Sequence, residues 1–375
     1  MIYWIYTLFE QDYESLVRIL RYVSSRGLGA ALVAFLVTLV LGKWVIRKLQ
    51  ALKFGQPIRG TDEVHKLGEL HDKKRGTPTM GGVLILGSVV FSTLMFAKLD
   101  NPFIWLCLIV TLYLGVLGFI DDYIKVTKKT SDGISARTKL IAQGVLAVGV
   151  TAFLIYFEHP EKKGMMTTLY LPLFSVENSV SNFQLGWFAV ILICGVIVGF
   201  SNAVNLTDGL DGLAIGCTIV CAATYAIFNY VAGRSDWSDY LFIPHHPWAN
   251  EVTVFCMSLV GAGMGFLWFN CFPARVFMGD TGSLAIGGML ATVALCCKQE
   301  LTLVIVGGVF VLEAMSVMLQ VGSFKLRKGK RIFRMAPIHH HFELKGWPET
   351  KVIVRFWILA LLCAGLGLAS LKLRY

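Results

Sequence analysis

The sequence predicts an all-α polytopic membrane protein, a single bundle of about ten transmembrane helices with both termini on the same side. Three observations predict it. The 375 residues are 55% hydrophobic and 15% charged, with a mean hydropathy of +0.65, outside the range of soluble domains. Charge-free apolar stretches long enough to cross about 30 Å of hydrocarbon recur along the whole chain. The basic residues sort with alternate loops.

The spans run roughly over 27–46, 77–97, 102–120, 140–157, 185–204, 212–232, 252–270, 281–297, 301–324 and 353–371. Connections are mostly short, with no linker, low-complexity tract or internal repeat, so residues 1–375 form one membrane domain. The first 26 residues are unlike a cleaved signal, because Arg18, Arg21 and Arg26 follow the apolar residues instead of preceding them; they read as an interfacial amphipathic helix. The nine cysteines include no CxxC pair and several lie inside spans, so they read as reduced, packed thiols, Cys296 and Cys297 among them.

Taking 43–75, 121–139, 205–211, 271–280 and 323–355 as one side collects about 24 of the 34 Lys and Arg residues there, which makes those loops cytoplasmic. Both termini then face outward. The net charge of +10 is this topology signal first, and it calls for no nucleic-acid partner.

The unusual polar residues gather on the same five loops, where carboxylates beside hydrocarbon are costly to keep without a use. At the inner end of the third span stand Asp121 and Asp122, with Lys125 on the Asp121 face at i, i+4. Paired acids with a nearby cation suit metal-assisted phosphoryl chemistry, although a charged helix end with a surface ion pair would read the same way. The third loop, Asn205, Leu206, Thr207, Asp208, Gly209, Leu210, Asp211 and Gly212, has no basic residue; on a helical turn Asp208 and Asp211 would point together, and a single N-cap would need only one of them. The fourth loop, from Asn270 through Phe277 to Asp280 and Ser283, puts Asp280 between Gly279 and Gly282 just before an apolar helix, a position that suits a cap as well as a ligand. The fifth is basic and then reads His339, His340, His341, Phe342 and Glu343. Three adjacent histidines do not converge on one ion from a regular helix, so phosphate and base recognition suits them better than a transition metal. The first loop, Lys73 to Gly82, is basic and Gly-rich but lacks P-loop order, which excludes ATP as the expected donor.

Together these motifs resemble the phospho-N-acetylmuramoyl-pentapeptide transferases, within the polyprenyl-phosphate N-acetylhexosamine-1-phosphate transferase superfamily. The resemblance covers essentially the full length. It rests on Gly76 to Gly82, Asp121 with Asp122, Asn205 to Gly212, Phe277 to Asp280, and His339 to Glu343. It implies a Mg²⁺-dependent enzyme of the bacterial inner membrane that moves phospho-N-acetylmuramoyl-pentapeptide from its UDP conjugate to undecaprenyl phosphate at the cytoplasmic face, yielding lipid I and UMP for peptidoglycan synthesis. By motif, Asp280 and Asp121 are implied metal ligands and Asp122 the group that deprotonates or orients the acceptor phosphate; an aspartate acting as covalent nucleophile is the alternative. Lys74, Thr79, Asn205, Asp208, Asp211, Asn270, Phe277, Gln320, His339, His340 and His341 are implied in the nucleoside diphosphate pocket, with Phe277 a stacking surface for uracil and Lys125 and Lys139 holding the lipid phosphate. A homodimer is a family expectation alone. Glu313, inside the ninth span, receives no role. Rival readings are a sibling N-acetylglucosamine-1-phosphate transferase and a transporter, which would put its acids near the bilayer midplane.

Overall fold

The computed structural model describes Tyr3 and residues 18–52, 76–128, 132–158, 163–177 and 182–373. Its elements follow the apolar stretches: α1 (Val23–Ala51), α2 (Gly82–Phe96), α3 (Pro102–Lys128), α4 (Ala136–Tyr156), α5 (Ala189–Thr207), α6 (Leu213–Ala232), the short α7 (Ser235–Tyr240), α8 (Ala249–Asn270), α9 (Gly279–Cys296), α10 (Thr302–Val306), α11 (Gly308–Leu326), the short α12 (Ile338–Glu343) and α13 (Glu349–Lys372). Among the described residues nine helices are long and apolar enough to cross a membrane, and the tenth predicted span is the 15-residue α2. The one sheet among them is a hairpin of β1 (Thr168–Tyr170) and β2 (Asn182–Gln184), antiparallel with Thr168 opposite Gln184.

Two span boundaries differ from the sequence reading. The second span was expected from residue 77, yet the helix begins at Gly82, because the residues before it are hydrogen-bonded to the segment ahead of α9: the Phe277 N–H donates to the Pro78 carbonyl, and the Gly81 and Gly82 N–H groups donate to the Phe277 and Met278 carbonyls. The ninth span, expected as one helix over 301–324, breaks at Gly307 into α10 and α11, where a side chain would strike the Phe200 ring.

Arg26 is a correction. Expected on an interfacial helix, it lies inside α1 with no exposed surface, donating from Nη1 and Nη2 to Glu251 at 2.6 and 2.5 Å and from Nη1 to the Phe96 carbonyl at 3.0 Å. A buried guanidinium requires such a carboxylate, so α1 starts ahead of the predicted span. Of the interfacial helix expected over 1–26, Arg18–Arg21 form a 3-10 turn and Val23 to Arg26 belong to α1, while residues 1, 2 and 4–17 lie outside the described residues.

α9 is the axis of the bundle: 89% of its apolar window is buried, against 22% for the peripheral α1. It packs on α3 and α5, while α8 packs between α1 and α6. Large exposed apolar side chains, such as Ile141 and Val145 on α4 or Leu362 and Leu366 on α13, cover the outer surface, as lipid solvation requires. All nine cysteines are free. α1 begins beside Glu251 and α13 ends with Lys372 donating to Tyr240, so both ends of the described chain lie at the end of the bundle carrying the hairpin. The loops with the unusual polar residues meet at the other end.

Candidate active site

The site is assembled by the inner end of α3, the first turn of α9 and the loops around them. Gly118 lets α3 lie directly against α9, since a side chain there would collide with the Asp280 carbonyl. One turn further along α3, Asp121 and Asp122 therefore arrive beside Asp280, and ligand oxygens of all three lie within 4.8 Å of one another. This is the one such carboxylate, His or Cys group among the described residues.

Asp121 is 1% exposed and forms the expected i, i+4 pair with Lys125 at 2.6 Å. Lys125 also reaches Asp280 at 3.1 Å, and Lys139 bridges the same two carboxylates at 3.3 and 2.8 Å. Lys139 is delivered by the N-terminus of α4, where Ser135 caps the Thr138 N–H, and the preceding Ile134 N–H donates to Asp121 at 2.8 Å. The two lysines thus sit between Asp121 and Asp280, where the sequence reading had them holding a lipid phosphate.

Asp122, one residue on and about 100° around the helix, faces elsewhere. Its Oδ1 accepts from the Asp280 N–H at 3.2 Å, and its Oδ2 accepts from the Thr281 N–H and hydroxyl at 2.9 and 2.8 Å. It caps α9 from a different helix, satisfying donors that the first turn leaves open. Asp280 lies inside that turn and is not its cap. Gly279, at φ +72°, makes the approach possible; a Cβ there would stand 2.6 Å from Asp122 Oδ2 and 2.8 Å from Thr79 Oγ1.

The third loop is not the helical turn its spacing suggested. α5 ends at Thr207, Gly212 turns the chain at φ +78°, and the two aspartates diverge. Asp208 accepts a hydrogen bond from the Gly279 backbone; burial, then the Asp280 and Asp122 carboxylates, push its pKa well above the usual carboxylate range. Asp211 turns to the fourth loop and accepts from the Ala274 N–H at 2.9 Å. Asn270 joins the same loops: its Oδ1 accepts from Gly212 N–H at 3.0 Å and its Nδ2 donates to the Val276 carbonyl at 2.8 Å. Asn205 and Phe277 are half-buried at the edge of this region, and Thr79 is buried beside Gly279. Lys74 lies outside the described residues.

The histidines part company. His339 is fully buried with Nδ1 3.1 Å from Glu313 Oε2; His340 Nδ1 meets Glu343 at 2.7 Å; His341 Nδ1 accepts the Arg334 N–H at 3.0 Å. Burial first, then the charges of Lys345 and Arg334, hold the His341 pKa below the usual range. Gln320 clasps the basic loop, accepting from Ile332 and Phe333 N–H and donating to the Phe333 carbonyl. Glu313, Glu349 and Trp357 had no motif to flag them. Glu349 accepts the Asp211 N–H at 3.0 Å and Trp357 donates to the Gly212 carbonyl at 3.2 Å, so α13 clamps the third loop. Only the oddity of a carboxyl inside an apolar span marked Glu313 beforehand.

Three carboxylates beside two ammonium groups, at one end of a helical membrane bundle, define a membrane-embedded group-transfer enzyme acting on phosphoryl substrates. The comparisons agree: residues 104–298 match Glycosyl transferase family 4, and residues 74–86 match phospho-N-acetylmuramoyl-pentapeptide-transferase signature 1. Phospho-N-acetylmuramoyl-pentapeptide-transferases from Methylacidiphilum infernorum and Citrifermentans bemidjiense are 50% and 52% identical over 374 residues, all of both chains, and one from a Geobacter species is 53% identical over 363 residues, 97% of each. The chain belongs to the phospho-N-acetylmuramoyl-pentapeptide transferase family.

Proposed function

We propose that the chain transfers phospho-N-acetylmuramoyl-pentapeptide from its UDP conjugate to undecaprenyl phosphate, releasing UMP and forming lipid I. The observation that carries this reading is the convergence of Asp121, Asp122 and Asp280 beside Lys125 and Lys139, in a chain about half identical over its full length to transferases of that name. A transporter reading loses its support, since these acids sit at one end of the bundle and not along a central path.

Donor and acceptor are both anions, so the reaction needs concentrated positive charge where they meet. Asp121 and Asp280 offer hard oxygen ligands of the kind Mg²⁺ takes, and a magnesium ion held there would supply charge to offset the diphosphate. Lys125 and Lys139, which neutralise these carboxylates, would then be released toward phosphate oxygens. Asp122 holds Asp280 in place through the α9 N-terminus. A role in orienting or deprotonating the acceptor would use the second lone pair of Oδ1, which accepts one hydrogen bond while Oδ2 accepts two. The third and fourth loops, with His339 and His340, form the nucleotide side of the pocket.

The experiment is radiolabel transfer by purified protein in detergent, with and without Mg²⁺ and with UDP-N-acetylglucosamine as competing donor. Magnesium-dependent labelling of undecaprenyl phosphate from the muramoyl donor alone is expected; labelling from the glucosamine donor would move the chain to the sibling activity. The excess of Lys and Arg on the loops at the site end supports a cytoplasmic site on a bacterial inner membrane. Cys271, the one exposed cysteine of the nine, lies at that end, so an impermeant maleimide should label it in inverted vesicles and not in intact cells.

A further inference from the structure

A carboxylate and an imidazole are buried together in α11 and α12 with no aligned hydrogen bond. Glu313 and His339 are each 0% exposed, and His339 Nδ1 lies 3.1 Å from Glu313 Oε2. No hydrogen bond reaches either carboxylate oxygen or either ring nitrogen from the described residues. Burying an ionisable side chain inside a membrane protein is costly unless it is paired, and the pair here is with each other. The ring's other nitrogen is not turned into the bundle. A side chain on Gly209 would strike Nε2, so Nε2 lies directly against the third loop, between the Asp208 and Asp211 positions.

We propose that Glu313 is a positioning residue which fixes the orientation of the His339 ring, so that Nε2 stands as a ready polar contact for the diphosphate of the nucleotide donor. This rests on the donor assignment above. Nδ1 is the ring nitrogen that stands 3.1 Å from Glu313 Oε2, so the carboxylate holds that side of the ring and Nε2 is the nitrogen left for the loop and its ligand. The same logic holds a metal-bound imidazole in register through a carboxylate behind it. The neighbouring histidines are held by other partners: Glu343 meets Nδ1 of His340, and the Arg334 N–H occupies Nδ1 of His341. His339 is the member of the run whose far nitrogen is buried, unpartnered and aimed at the loop.

The test is a kinetic double-mutant cycle on the full-length protein in detergent. Glu313→Met removes the acceptor at similar volume, Glu313→Gln restores an acceptor without charge, and each is made with and without His339→Ala. kcat and KM are measured separately for the UDP-linked donor and for undecaprenyl phosphate, with thermal unfolding alongside. Glu313→Met should lower kcat/KM for the donor by about tenfold or more while the KM for the lipid acceptor stays within about twofold, and Glu313→Gln should recover most of the loss. Added to His339→Ala, Glu313→Met should cost little more, because both act through one contact. Rates unchanged in Glu313→Met, equal impairment in Met and Gln variants, or losses that add to those of His339→Ala would overturn the proposal. Failure of both variants to purify as folded protein would assign the carboxylate to bundle packing and overturn it too. A parent protein that does not use the muramoyl donor would refute the substrate reading instead, a result visible before any variant is made.

Discussion

Asp122 and Asp280 are neighbours with separable tasks. Asp280 faces the lysines, so its charge matters where phosphate charge is handled, and Asp280→Asn should lower turnover by about 100-fold or more in initial-rate assays. Asp122 holds the α9 N-terminus through three hydrogen bonds, and an amide can accept at one atom only. Asp122→Asn should therefore lose turnover and also about 1 kcal/mol of stability, the usual cost of a lost cap, read as a lower unfolding midpoint in detergent. Gly279→Ala attacks the same junction through the backbone. Its left-handed φ and the 2.6 Å approach to Asp122 combine strain with a clash, so a loss of about 2 kcal/mol is expected together with turnover. A Gly279→Ala protein with parental rate and midpoint would show that the junction yields without consequence.

At the scale of elements, the third loop is held from three directions: by Asn270 at the end of α8, by Glu349 and Trp357 on α13, and by the Ala274 N–H of the fourth loop. Such a loop is built to be stiff, which suits a surface that must receive a charged ligand without reorganising. Asn270→Ala leaves the Gly212 N–H and the Val276 carbonyl without their buried partner. A loss of about 1–3 kcal/mol in unfolding and a raised KM for the nucleotide donor are expected, against an unaltered KM for the lipid acceptor. The membrane helices and the loops that carry the chemistry were legible in the sequence, because apolar length and juxtamembrane acids are local signals. The start of α2 was not: Thr77 to Gly81 carry no charge to end a span, and only hydrogen bonds to the distant Phe277 and Met278 hold them out of the helix. Glu349 and Trp357 were silent for the same reason, since nothing near them in sequence tells that α13 meets the third loop. The spacing of Asp208 and Asp211 misled because α5 ends at Thr207 and Asp208 has already left helical geometry, at φ −78° and ψ 48°.

Across the whole molecule the bundle has two ends with different physics. At the site end, like charges are crowded and balanced by lysines that stay partly exposed, an arrangement that responds to an anionic ligand. At the other end the charges are sealed: Arg26 and Glu251 are buried and tie α1, α2 and α8 together, with the Lys98 N–H adding a hydrogen bond to Glu251. Breaking a buried pair by removing one partner strands the other charge, whereas replacing both with apolar residues removes the desolvation cost along with the attraction. Glu251→Leu alone should therefore destabilise the protein by about 3–5 kcal/mol, while Arg26→Met with Glu251→Leu should unfold close to the parent. Because this clamp lies at the opposite end of α1 and α8 from the carboxylates, the double variant should keep parental kcat and KM for both substrates. If it kept its unfolding midpoint but lost turnover, the two ends would be coupled through α8, and the clamp would belong to the catalytic cycle as well as to the fold.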